Sequence, residues 1–354
     1  MKKYIIIILL LAVALVFIWP LFKGKDQKES GKNKPAVFLN GSNLKVAIGS
    51  PLIINIEVRE DGIETMELML NDQKIKTWKS PNGKVSYSIS PNLLSFGTSN
   101  LTLVSTNKDG RQFTESLSVS VNSDIAPKIW TPIIKERLPH SANSFTQGLE
   151  FNNDALYEST GQFGQSFLAK VDLKSGKILN QVNLEQQYFG EGITILGDEV
   201  FQITWQQNKC FVYNKYDLSK LREYSYSGEG WGLCNDGKSI VMSNGTNQIV
   251  FRNPQTFAIE KTLQVYSDQG PEQSLNELEY HEGLIYANIW QSNFIAVIDS
   301  KSGKVLARIN ASDIVKEGKG NGDVLNGIAY NTITKKWYLT GKNWDKLYQV
   351  SFNK

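Results

Sequence analysis

Five short segments recur through the second half of the chain: Gln147-Gly148-Leu149, Glu191-Gly192-Ile193, Trp231-Gly232-Leu233, Asn276-Glu277-Leu278 and Asn326-Gly327-Ile328, at spacings of 44, 40, 45 and 50 residues. A period of this size marks a unit that cannot bury its own apolar face and must stack against copies of itself. Each segment opens an apolar run. In the second copy the run continues through Ile193 and Ile195, turns at Gly197-Asp198, and returns through Val200, Phe201 and Ile203, the pattern of two strands joined by a tight turn. The returning strand ends at Gly161, Trp205, Gly245, Trp290 and Lys342, 14 residues after its opening in four copies and 16 in the last. A hairpin of that length goes out and comes back to the same end of a sheet. Third and fourth strands follow, clearest in residues 169–173 with 178–179 and in 296–299 with 305–306. Four strands in about 44 residues form a β-propeller blade, and five blades fit the length.

The last copy runs out after three strands, while an unassigned strand-like run at residues 129–138 precedes the first. Pairing the two would close the ring. In a closed ring the innermost strands all start at one channel mouth, so equivalent positions become neighbours there. The openings bring Gln147, Glu191, Trp231, Asn276 and Asn326; the returning strands bring Trp205, Trp290 and Lys342; Phe145 lies two residues before Gln147. One carboxylate, three amides, one ammonium and several aromatic rings have the make-up of a small pocket with apolar walls and a few convergent polar groups. A purely structural repeat would keep similar residues at equivalent places, and these diverge.

The rest of the chain divides at changes of pattern. After Met1-Lys2-Lys3 no charge occurs until Lys23, long enough to cross a bilayer, so residues 1–22 read as a signal anchor or transmembrane helix. No small-x-small cleavage site stands out, although a signal peptide with a degenerate site is the alternative. Residues 23–35, rich in Lys, Gly, Ser and Asp, read as a solvated tether. Residues 36–122 alternate apolar and polar in about seven short runs, with turn signals at Asp61-Gly62, Asn82-Gly83 and Asp109-Gly110. That is the rhythm of an immunoglobulin-like β-sandwich without the cysteine pair of antibody domains, expected to act as a spacer or docking module. Residues 123–354 hold the propeller. The predicted fold is therefore all-β: a five-bladed β-propeller preceded by an immunoglobulin-like sandwich and an N-terminal transmembrane helix. Anchor and tether together place the chain on a membrane with its folded part outside the cytoplasm.

Composition removes two classes of function. The 38 Lys and Arg against 35 Asp and Glu give a net charge of +3 with no dense basic stripe, so nucleic acid is not an expected partner. Two cysteines (Cys210, Cys234) and two histidines (His140, His281) lack metal-ligand spacing, so no protein-built metal site is expected. Their plain reading is two small buried thiols and two surface histidines.

Glu191 is the single acid at an opening. Aromatic walls would raise its pKa by desolvation and a nearby ammonium would lower it, a setting for proton transfer. The amides and Lys342 can donate to a carbonyl oxygen that becomes negative in a tetrahedral intermediate. No Ser or Cys nucleophile with a His partner is visible, which leaves the nucleophile to the substrate.

The motifs Phe145-Thr146-Gln147-Gly148-Leu149, Gly190-Glu191-Gly192, Gly230-Trp231-Gly232, Leu275-Asn276-Glu277-Leu278-Glu279-Tyr280, Leu325-Asn326-Gly327-Ile328-Ala329 and Thr340-Gly341-Lys342 resemble the plant and bacterial type of glutaminyl cyclase, the glutaminyl-peptide cyclotransferases. The resemblance covers roughly residues 135–352 and leaves out the membrane segment and the sandwich. It implies a five-bladed propeller that needs no cofactor for catalysis, although some relatives carry a structural ion in the channel. It implies Glu191 as catalytic acid/base and a substrate pocket lined by Phe145, Gln147, Trp205, Trp231, Asn276, Trp290 and Lys342. The reaction it implies is cyclisation of an N-terminal glutamine of a peptide or protein to pyroglutamate with release of ammonia. Two rivals remain on the residues alone. A binding propeller would present the same mouth to a peptide without chemistry, and a metal-dependent propeller hydrolase would need several carboxylates or histidines at the openings.

Overall fold

In the computed structural model, which describes residues 34–354, regular structure is almost wholly strand. The expected membrane segment at residues 1–22 lies outside the described residues, as does the tether up to residue 33. Among the described residues no helix is long and apolar enough to cross a membrane.

The described chain forms two compact units, one of residues 34–42, 53–87 and 100–117, the other of residues 43–52, 88–99 and 118–354. The first stretch of chain contains β1 (Ala36–Phe38), β2 (Asn43–Ala47), β3 (Leu52–Val58), β4 (Ile63–Leu70), β5 (Gln73–Lys79), β6 (Lys84–Ile89), β7 (Gly97–Asn107) and β8 (Gln112–Asn122). Strands β1 and β6 flank β3, and β5 and β7 flank β4. The period-two alternation in the sequence is visible in burial: Ile54 and Ile56 of β3 and Met66 and Leu68 of β4 are fully buried, while Ile53, between Leu52 and Ile54, is exposed.

Further along come β9 (Lys128–Pro139), β10 (Thr146–Asn152), β11 (Ala155–Thr160), β12 (Phe167–Val171) and β13 (Ile178–Asn183). They are followed by β14 (Gly190–Leu196), β15 (Glu199–Thr204), β16 (Lys209–Asn214) and β17 (Lys220–Ser225), then by β18 (Leu233–Asn235), β19 (Ile240–Ser243), β20 (Gln248–Arg252) and β21 (Ile259–Gln264). After a small hairpin, β22 (Tyr266–Ser267) and β23 (Gly270–Pro271), the chain forms β24 (Leu275–His281), β25 (Leu284–Ile289), β26 (Phe294–Asp299) and β27 (Val305–Asn310). A short helix α1 (Ser312–Gly318) leads to β28 (Leu325–Asn331), β29 (Lys336–Gly341) and β30 (Lys346–Asn353).

These strands build three four-stranded antiparallel sheets, β10 to β13, β14 to β17 and β18 to β21, and one eight-stranded sheet in the order β24-β25-β26-β27-β9-β30-β29-β28. The last is two four-stranded units sharing an edge. As expected from the short final copy, β9 completes it, pairing antiparallel with β30 from Pro139 opposite Lys346 to Thr131 opposite Asn353. The start of β9 also runs parallel to β27, with Ile129 opposite Arg308, a contact the repeat did not foretell.

Strand β10 packs beside β14, β14 beside β18, β18 beside β24, β24 beside β28, and β28 again beside β10, so the innermost strands form a closed, propeller-like cycle of five. Apolar side chains fill each space between neighbouring sheets. Ile203, Cys210 and Val212 pack with Leu233 and Met242 between the second and third, and Leu149, Leu156 and Ala169 pack with Ala329, Tyr338 and Leu347 between the first and last. Each such side chain withdrawn from water contributes about 2 kcal/mol.

Four openings carry glycine one residue in, and at Gly148, Gly192 and Gly232 the packing of the cycle explains it. A Cβ at Gly192 would lie 2.4 Å from the backbone nitrogen of Leu233, and one at Gly232 would lie 2.1 Å from the carbonyl oxygen of Asn276. Neighbouring inner strands touch backbone to backbone at this level.

Both cysteines are free and buried. The histidines depart from expectation. His140 is buried, because its ring joins the Trp344 carbonyl through Nδ1 (2.7 Å) and the Glu158 carboxylate through Nε2 (3.0 Å). His281 is half-buried against the Tyr330 ring, centroids 3.9 Å apart.

Candidate active site

The cycle of inner strands delivers the five openings to one place. Asn326 Nδ2 donates to Gln147 Oε1 (3.1 Å) and to the Thr146 carbonyl (2.9 Å), and Gln147 Nε2 donates to Glu191 Oε1 (3.0 Å). The chain of hydrogen bonds spans three blades and ends on the carboxylate. The Trp231 carbonyl accepts from Gly192 N–H (2.8 Å), which ties the third opening to the second. At the fourth, the Asn276 carbonyl accepts from Ser243 Oγ (2.7 Å), while its side-chain Oδ1 is buried with no hydrogen-bond partner. Gln147 thus spends its amide on Glu191, and Asn276 keeps its own unspent.

The returning strands reach the same level through a repeated backbone bond. The N–H of Gly161, Trp205, Trp290 and Lys342 donates to the carbonyl of Phe145, Phe189, Ser274 and Val324 respectively, each two residues before an opening. Asn343, with φ 59°, then turns the chain, and its N–H is held by the Ser144 carbonyl (2.8 Å). Lys342 is left 4% exposed with its ammonium 4.7 Å from the centre of the Phe145 ring. Aromatic walls complete the site. Phe189 meets Phe145, Phe163 and Trp205 edge-on at 6.2, 5.4 and 5.7 Å, and Trp231 meets Trp290 edge-on at 5.5 Å. Trp290 is 41% exposed and forms the rim.

The electrostatics follow from this enclosure. Glu191 is 5% exposed, and burial pushes its carboxyl well above the ordinary carboxylate range, with Lys342 pulling it back and Glu229 adding to the rise. Burial lowers the Lys342 ammonium, against the opposing pull of Glu191 and Asp323. An acid raised and an amine lowered in one buried pocket form a setting for proton transfer.

All nine residues singled out from the sequence, Phe145, Gln147, Glu191, Trp205, Trp231, Asn276, Trp290, Asn326 and Lys342, therefore sit at or beside the openings. The sequence reading missed Glu229, Phe189 and Phe163. Glu229 Oε2 accepts from both Trp205 Nε1 and Trp231 Nε1, each at 2.9 Å. Phe189 and Glu229 occupy the place two before their openings that Phe145 occupies before the first, so the repeat itself could have found both. Phe163 has no equivalent in the register.

Further along the inner strands lie other carboxyls, of which Glu277 is buried. Glu277 takes the place glycine has elsewhere and accepts from Leu149 N–H (3.3 Å) and Ile328 N–H (2.8 Å), bracketing β24 to β10 and β28. Burial pushes the Glu150 carboxyl up to about 8 and raises Glu277 and Glu279 well above the usual range. Among the described residues no three His, Cys, Asp or Glu side chains are grouped to hold a metal.

Comparison with known proteins agrees with this geometry. The family profile described as glutamine cyclotransferase matches residues 109–352. The glutaminyl-peptide cyclotransferase of Arabidopsis thaliana is 39% identical over 233 residues, 64% of this chain and 73% of that protein. The crystal structure of Myxococcus xanthus glutaminyl cyclase superposes with a TM-score of 0.61 at 35% identity, covering 64% of this chain and 98% of that one. The matched stretch takes in every inner strand and every residue of the pocket, and the chain belongs to the glutamine cyclotransferase family.

Proposed function

We propose that this chain is a glutaminyl-peptide cyclotransferase that converts an N-terminal glutamine of peptides or proteins to pyroglutamate, with Glu191 as its general acid and base. The α-amine of the substrate attacks the carbon of its own side-chain amide and a ring C–N bond forms. The proton leaving the amine passes to Glu191 and from there to the departing nitrogen, the original C–N bond breaks, and ammonia leaves. The nucleophile is already tethered to its target, so the protein has only to position, move one proton and stabilise the oxygen that turns negative. Lys342 and the side-chain amide of Asn276 are the donors for that oxygen. The single observation that carries the reading is a buried carboxyl, raised by desolvation, facing a buried ammonium inside aromatic walls.

The finer architecture belongs to the same proposal. The cycle of five four-stranded units is a five-bladed β-propeller, residues 36–122 are an immunoglobulin-like sandwich, and residues 1–22 anchor the chain in a membrane with the catalytic part outside the cytoplasm. Catalysis needs no cofactor, since the substrate brings its own nucleophile and the openings offer one carboxylate among amides. The test is to incubate the full chain with an N-terminal glutaminyl peptide and measure ammonia and the loss of the primary amine, before and after treatment with phenanthroline. Turnover should be present and survive the chelator. Absence of turnover would overturn the cyclase reading, and turnover lost to the chelator and restored by zinc would overturn the metal-free mechanism.

A further inference from the structure

The aromatic lining is in two pieces, Phe189 with Trp205 on one side and Trp231 with Trp290 on the other. No ring contact joins them among the described residues. One carboxylate oxygen does, since Glu229 Oε2 accepts from both indole nitrogens, and Glu229 Oε1 accepts from Gln206 Nε2 at 2.9 Å. The local chain is built to hold it there. Gly228 takes φ 88°, Gly230 donates its N–H to the Trp205 carbonyl (2.9 Å), and a Cβ on Gly230 would lie 2.2 Å from the Tyr226 hydroxyl oxygen.

We propose that Glu229 is a positioning residue for the cyclisation, its carboxylate aligning the two indoles that wall the pocket and setting a like charge before Glu191. The inference rests on the cyclase reading and deepens it. Two charge-assisted bonds to one acceptor fix two ring planes at once, where an apolar contact would leave each free to turn. Burial works against a charge on Glu229, but the bonds from Gln206, Trp231 and Trp205 outweigh it and hold the carboxyl below its ordinary range, so it remains an anion at neutral pH. The charged and titratable groups that act on Glu191 are Lys342, Glu229 and the Tyr226 hydroxyl, with Gln147 donating to it directly. Of these, Glu229 opposes ionisation of Glu191, which makes its carboxylate a stronger base for the proton leaving the amine. Its removal makes that ionisation easier, and the limb of the pH profile that Glu191 sets moves to lower pH.

The experiment is steady-state turnover of a glutaminyl peptide against pH by the full chain, its Glu229→Gln variant and its Glu229→Asp variant, with near-ultraviolet circular dichroism of the indoles on the same samples. In Glu229→Gln we expect KM to rise about tenfold, the scale of one lost charge-assisted hydrogen bond, with a smaller change in kcat, an altered indole band, and one limb of the profile displaced to lower pH. Glu229→Asp keeps the charge on a shorter arm, so KM should rise while both limbs stay in place. It also serves as the informative variant if Glu229→Gln fails to fold. A Glu229→Gln enzyme with the wild-type KM, indole band and profile would overturn the proposal, and a raised KM with unmoved limbs would overturn its electrostatic half. Should the wild-type chain release no ammonia, the cyclase reading falls and the pH arm with it, whereas the indole band still decides the clamp.

Discussion

Two buried carboxylates on neighbouring sheets, Glu158 on β11 and Glu191 on β14, have nearly the same exposure and opposite circumstances. Glu158 receives His140 Nε2 and Thr146 Oγ1 on one oxygen, at 3.0 and 2.8 Å, and Ser144 Oγ on the other at 3.2 Å. Among the described residues Glu191 receives one side-chain donor, Gln147, and Lys342, the cation that acts on it, makes no ion pair with it. A carboxylate ringed by donors is held in one place, while a carboxylate with a single side-chain donor keeps capacity to accept. The first ties together segments 140–146 and 340–345, which carry Phe145 and Lys342. The second is where chemistry can happen, because a proton or a substrate amine supplies what the fold withholds.

The sharpest way to break the contrast is Glu191→Gln, which preserves size and the bond from Gln147 but exchanges no proton. Turnover of a glutaminyl peptide should fall on the order of 10²- to 10⁴-fold with the far-ultraviolet spectrum unchanged. Near wild-type turnover would favour the binding propeller instead. Next in size is Glu158→Ala, which strands the buried His140 ring and two hydroxyls. Chemical denaturation should show a loss of about 3–5 kcal/mol, as for other buried pairs broken on one side, and a variant of unchanged stability would make the two carboxylates alike. Trp290→Ala comes third: it removes rim area and no proton donor, so KM should rise about tenfold with kcat little altered, since uniform binding is what is lost.

The smallest effect is a pH dependence. Burial opposes a charge on His140, but Glu158, the Trp344 carbonyl and Asp345 outweigh it and raise its pKa above 6.5. The folded state therefore binds a proton more tightly than the unfolded chain. The stability this contributes is complete below pH 6.5 and is lost as pH rises through the folded value. Thermal melts across pH 5 to 9 should show the wild type losing a few degrees relative to His140→Gln on the alkaline side, and parallel curves would sink the assignment.

Much of this molecule was legible before any coordinates. The openings Gln147, Glu191, Asn276 and Asn326 stand in equivalent register, and equivalence in a closed repeat is adjacency, so a pocket could be assembled from spacing alone. The short final unit foretold the pairing of β9 with β30. What the spacing could not convey was which acids are buried and what they touch. Nothing in the pattern marks Glu158, and His140 reads as a surface histidine, since their partnership depends on a loop 204 residues away from His140 in the chain. Glu229 was overlooked because only the openings were compared, although its place two residues earlier recurs in Phe145 and Phe189.

One ring of positions separates the two kinds of knowledge. At Gly148, Gly192 and Gly232 the sequence repeats because backbone meets backbone, a local requirement that prints itself in the chain, whereas Gly327, at φ 125°, faces side chains. At the fifth place stands Glu277, whose carboxylate spans 128 residues to Leu149 and 51 to Ile328. The sequence by itself determined the repeat, the ring of openings and the identity of the residues facing the mouth. Only the tertiary structure decided that Glu277 is a bracket, Glu158 half of an ion pair, Glu229 a clamp on two indoles and Glu191 the under-served acid, because burial and hydrogen-bond supply are properties of neighbours brought together from distant parts of the chain.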